Sequence, residues 1–234
     1  NSCVPLSAFE AVTGTASADT VTMLGTDLSV SSVETVLGSS GVDTLNYLAN
    51  GTVAVSGVEV VVGLTSAGDV TRMLSAGALS ASEIESVIGT TGTDTLTLVG
   101  SGVSASVSAI ETVIASSAGG DSVRLLAAGT LGVSAVETVV GTLDADTARM
   151  LASSATTLSV SNVETVLGTS AYADTVEMMS GSALGVSNVE TVLGATGTVE
   201  TVSLLGATNL EVSNVDVVLG SSGADTLTYL GGGT

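Results

Sequence analysis

Nine acidic residues recur at near-equal intervals along this 234-residue chain: Asp19, Asp43, Asp69, Asp94, Asp121, Asp146, Asp174, Glu200 and Asp225. A second set, at 10, 34, 59, 85, 111, 137, 164, 190 and 216, sits inside a repeated Val-Glu-Thr-Val signature, and the two sets hold 18 of the 23 carboxylates. Carboxylates can cap turn backbones, bind hard cations or act as acid–base pairs. Acid–base catalysis needs a unique constellation, and here every candidate acid is repeated nine times. The serines at 7, 31, 56, 82, 108, 134, 161, 187 and 213 are repeated as well, and the sequence has neither His nor Lys to activate them. We expect no enzyme.

The elements that must position these acids follow from the period. Successive Val-Glu-Thr-Val acids are 24 to 27 residues apart, about 26 on average. Each period carries three short alternating segments, as in Leu28–Ser31, Val33–Leu37 and Asp43–Leu48. Alternation with a period of two, abundant Val and Thr, and Gly between segments point to strands rather than helices. A strand of about five residues cannot bury its apolar side alone, but stacked coils pair each strand with its repeat at ~4.8 Å and close a common core. The expectation is an all-β fold, a right-handed parallel β-solenoid of about nine coils of ~26 residues with three strands per coil, forming a single repeat domain over 1–234.

Composition agrees. Hydrophobic residues make up 44% of the chain but aromatics only 2%, so the core must be thin layers of Val, Leu, Ile and Ala. A net charge of −20 opposes nucleic acid and anionic lipid, and every apolar run stops well short of the ~18 residues of a membrane span. The single Cys3 excludes an internal disulfide framework; it reads as a plain thiol or as a point of attachment.

Stacking turns each repeat position into a column. Met23, Met73, Met150 and Met178 share a position with Leu and Tyr and read as core. The outward position beside them holds all three basic residues, Arg72, Arg124 and Arg149, with Arg149 expected next to Glu177 on the following coil. Thr20/Thr22, Thr95/Thr97 and Thr226/Thr228 form outward Thr-x-Thr pairs expected on one face, the pattern of an ice-binding surface. The second Val of the signature, at 12, 36, 61, 87, 113, 139, 166, 192 and 218, is either turned inward by a bend or forms an exposed apolar ridge for lateral partners. Acids stacked ~4.8 Å apart would repel by about 0.9 kcal/mol per pair even in water, so their rows need solvent, hydrogen-bond donors or a cation.

Gly92-Thr-Asp94-Thr-Leu96 and Gly223-Ala-Asp225-Thr-Leu227 resemble the G-x-D-x-L core of hemolysin-type (RTX) calcium-binding repeats, found in large bacterial secreted and surface proteins. The resemblance implies calcium at Asp43, Asp94 and Asp225, where Gly41, Gly92 and Gly223 stand two residues earlier. The function expected is a structural, non-catalytic extracellular or cell-surface repeat protein that assembles with itself head to tail. A calcium-stabilised adhesin and an ice-binding protein are the alternatives, with no nucleic acid and no membrane insertion.

Overall fold

The computed structural model describes residues 3–6, 11–65, 68–116, 119–151, 154 and 156–231. Ser7 and Glu10 of the repeated columns lie outside the described residues, as does the side chain of Cys3. Among the described residues all regular structure is β, in 27 strands, and no helix is long and apolar enough to cross a membrane. The chain divides into two compact units, Asn1–Ile114 with 14 strands and Ala115–Thr234 with 13.

Each unit is a parallel β-solenoid built from two sheets. In the first unit Thr20–Met23 pairs with Thr35–Leu37, which pairs with Thr52–Ser56, while the intervening Asp27–Ser31 and Thr44–Tyr47 pair in the other sheet. Consecutive strands therefore alternate between sheets, and two strands complete a coil. Val21 faces Val36, Val36 faces Val55 and Val139 faces Val160, so a coil takes 15 to 21 residues.

The parallel solenoid stands, but the coil is corrected. Its content is two strands rather than three, giving seven coils from 14 strands in the first unit and six and a half from 13 in the second. The ~26-residue period counts three strands, which is one and a half coils. Each repeat thus begins on the sheet opposite to its predecessor. Sequence periodicity reports where strands recur, not how many of them close a turn.

Two expected neighbourhoods change with it. Arg149 lies between Gly132 and Leu167, whereas Glu177 lies between Ser159 and Leu193 in the opposite sheet, so the two are not neighbours. Thr20/Thr22 and Thr95/Thr97 likewise fall on opposite sheets of the first unit, which removes the single Thr face.

Inward residues alternate as the strand pleat dictates. Val21, Met23, Leu28, Val30, Leu45 and the methionines at 73, 150 and 178 are all buried. In the signature segment both valines turn inward: Val33 is buried, and Val36, Val61, Val87, Val113, Val139, Val166 and Val192 are fully buried. The exposed Val ridge is therefore corrected to core. The bend comes from the residue before the segment, which holds a left-handed backbone at Ser32, Glu83, Ala109, Ala135, Asn162, Asn188 and Asn214, with φ between 51° and 55°, and at Gly57.

That conformation costs a residue with an ordinary side chain about 1–2 kcal/mol, and Asn or Gly less. Replacing Ala135 by Gly, or Glu83 by Asn, is expected to stabilise the fold by about 0.5–1 kcal/mol per site. A shift of the urea midpoint to higher concentration with unchanged slope is the readout.

Candidate functional site

The connections between sheets fall on two edges of each unit, and the repeated acids occupy them in a three-coil cycle. Along one edge of the first unit the turn residue Gly77 is followed on the next coil by Asp94 and on the next by Glu111. Asp94 is fully buried. Its Oδ2 accepts the backbone N–H of Thr90 at 2.6 Å and the Thr90 hydroxyl at 2.8 Å, and its Oδ1 accepts the N–H of Gly77 at 2.9 Å. The N–H of Asp94 in turn donates to Glu111 Oε2 at 2.7 Å. One carboxylate therefore holds its own turn and the coil before it, and the next holds the coil after.

The pattern repeats. Asp146 takes the N–H and hydroxyl of Thr142 and the N–H of Gly129, and its own N–H donates to Glu164 at 2.8 Å. Asp43 accepts the N–H and hydroxyl of Ser39 and donates its N–H to Glu59 at 2.9 Å. Asp225 accepts from Ser221 at 2.7 Å and from Thr208 at 3.2 Å.

Local sequence makes this possible. In Gly38 and Gly89, which close the signature segment, an added Cβ would lie 1.7 and 1.9 Å from the carbonyl oxygens of Gly57 and Ala109 on the next coil, and 2.8 Å from the Asp carboxylate. At these positions Gly lets the carboxylate and the neighbouring coil approach that closely; the fifth repeat carries Ala115 there and keeps its N–H on Ser134 O at 2.9 Å. The repeated serines meet the same glycines through backbone: Gly38 N–H donates to Ser56 O and Gly89 N–H to Ser108 O, both at 2.8 Å.

The two-strand coil also redistributes the charge. Asp43 and Asp94 share an edge but stand three coils apart, about 14 Å at the strand spacing and beyond the ~8–10 Å over which salt screens charge. The acids that do stand on successive coils belong to different sets, as Asp94 and Glu111 do, and the Asp94 N–H donates to the Glu111 carboxylate.

A calcium ion needs six to eight oxygen acceptors. What surrounds Asp43, Asp94 and Asp225 is a set of N–H and O–H donors, which suits an anion held by backbone and does not fit a cation. Among the described residues no group of three or more Asp, Glu, His or Cys is placed to hold a metal. Chelation with EDTA is expected to leave the melting temperature within about 1 °C, whereas a metal spine would lose tens of degrees, because binding to the folded state stabilises it by mass action.

Protonation is the sensitive axis. The N–H of Thr15, followed by its hydroxyl, holds the Asp19 carboxyl below its ordinary value. For Asp225, burial is the largest influence and pushes upward, but the N–H groups of Ser221 and Thr208 with the Ser221 hydroxyl outweigh it, and the net shift is downward. A carboxyl lowered in the folded state contributes stability that is fully present above its unfolded value, here 3.8, and is lost as pH falls through the lower folded value. Thermal stability should be flat above about pH 5 and fall steeply below about pH 4, and Asp225→Asn should flatten part of that fall.

Among the described residues Asp174 Oδ1 and Glu200 Oε2 depart from the pattern, buried without a hydrogen-bond partner there. Glu200 stands where the other repeats have Asp, and its longer side chain turns Oε1 to the hydroxyl of Thr198. Sequence reasoning also missed a polar pair within the core. The Tyr47 hydroxyl donates to Val70 O at 3.0 Å and lies 3.0 Å from the Thr71 hydroxyl. Burial pushes the Tyr47 phenol well above its ordinary range. The available signal was Thr71, a polar residue in an inward position filled by Val21, Leu45 and Leu96 in neighbouring repeats.

Comparison with protein-family models, with characterised proteins and with solved structures returns no match. Function is therefore argued from geometry.

Proposed function

We propose that this chain is a structural, non-catalytic repeat module of an extracellular or cell-surface assembly that lengthens head to tail. The observation that carries the reading is the use made of the repeated acids: Asp43, Asp94 and Asp146 hold their own turns through Ser39, Thr90 and Thr142, and their N–H groups are held by Glu59, Glu111 and Glu164 on the following coil. They are occupied in joining one coil to the next. A second copy offers the same coil chemistry, so coils can be added by the same contacts, and such a contact does not close on itself.

The acids support the reading because the seven fully or nearly fully buried ones, Asp43 to Glu200, sit in the connections between strands. The extracellular placement rests on the resemblance to hemolysin-type repeats. Analytical ultracentrifugation of the complete mature protein tests assembly. Concentration-dependent growth that is abolished by Leu227→Lys, with an unchanged circular dichroism spectrum, is expected. A monomer at all concentrations refutes it.

A further inference from the structure

The strands and the connections divide the charge unevenly. Among the described residues six charged side chains lie on strands, Asp27, Arg72, Arg124, Arg149, Glu177 and Glu211, all exposed. Three are cations and three are anions, so they cancel. The remaining acids among the described residues lie in the connections, which places the net negative charge on the edges and leaves the sheet faces neutral.

In the second unit one sheet carries Arg149 alone and the other carries Arg124, Glu177 and Glu211, so among the described strand residues the two faces bear opposite net charge. Arg149 projects from one sheet, with Gly132 and Leu167 as its strand neighbours, and Glu177 from the other, with Ser159 and Leu193 as its neighbours. On opposite faces they cannot meet within one chain. Each stands two residues before a half-exposed aliphatic side chain, Leu151 at 41% and Met179 at 53%. Arg149 and Glu177 thus hold the same repeat position with opposite charge on opposite faces, while Arg124 holds it three coils away on the Glu177 face.

We propose that copies of this chain pack face to face, the sheet bearing Arg149 of one copy against the sheet bearing Glu177 of the next, with Leu151 and Met179 at the border. Sheets pack in this way ~10 Å apart. Different faces are joined, so the contact is heterologous and stacks copies rather than closing a dimer. Edge-to-edge contact is opposed by like charge, which confines stacking to the faces. The inference deepens the assembly reading and rests on it for its setting, but the contact is separate from the terminal strand.

The test uses the full chain carrying Leu227→Lys, which blocks head-to-tail addition. Sedimentation equilibrium should still show concentration-dependent association, weaker at high salt. Arg149→Glu should weaken it by about tenfold or more, Glu177→Arg alone should do the same, and the double exchange should restore it. A monomeric chain, association indifferent to both single changes, or a double variant without recovery overturns the proposal. So does a monomer that binds a sulfated polysaccharide through Arg149, which assigns the face to an anionic partner. Electron microscopy of the unsubstituted chain separates the two contacts: thin single filaments refute face stacking alone, and stacks without elongation refute head-to-tail growth alone.

Discussion

Gly38→Ala is expected to destabilise this fold by about 3 kcal/mol or more, at the upper end of what overpacking costs, while Gly129→Ala is nearly silent. The Cβ at position 38 would lie 1.7 Å from the Gly57 carbonyl oxygen and 2.8 Å from Asp43 Oδ2, whereas at 129 nothing lies within 4 Å. The atoms met at 38 are backbone of the next coil and a buried carboxylate already held by Ser39, so neither can swing aside. Relief requires the turn to shift; the fifth repeat, which has Ala115 at this position, keeps the equivalent bond to Ser134 O at 2.9 Å, but position 38 sits in a turn built around Gly. Urea denaturation of the two variants is the comparison. Equal effects at both positions would show that close coil contact is not what selects Gly.

Asp94→Ala should cost about 3–5 kcal/mol, because it leaves the N–H groups of Thr90 and Gly77 and the Thr90 hydroxyl without their acceptor in a buried site, at about 1–3 kcal/mol for each unmet group before relaxation. Asp144→Ala, an exposed acid in the corresponding loop of another repeat, should stay within about 0.5 kcal/mol. The contrast separates a carboxylate that builds the coil from one that only adds charge. A loss at Asp94 no larger than at Asp144 would refute the capping role. A loss at Asp94 that calcium reverses in the parent chain would restore a metal.

These two sites show what the sequence makes legible. The strands are readable because alternation and Gly leave a mark on every repeat: Leu28–Ser31 lies within the strand Asp27–Ser31, and Val33–Leu37 contains the strand Thr35–Leu37. The coil was not readable, since pairing between coils depends on how far each connection turns the chain, and Asp19 or Gly38 carries no label for that. The inward turn of Val36 is only partly legible, because the column that causes it mixes Gly57, Asn162, Asn188 and Asn214, which favour a left-handed backbone, with Ser32, Glu83, Ala109 and Ala135, which do not. Burial of Asp94 was hidden by the same ambiguity: an Asp before a strand is ordinary at a solvated turn, and only the close approach at Gly89 encloses it.

The odd number of strands in each repeat, distributed over an even number of sheets, sets a parity rule for this sequence. Excising one ~26-residue repeat would remove three strands, and every strand after the cut would land on the opposite wall, exchanging the faces that carry Arg149 and Glu177. Excising two would remove six and restore all that follows to its former wall, shifted along the stack. Length variants that change by pairs of repeats therefore preserve surface pattern, while those that change by single repeats invert it.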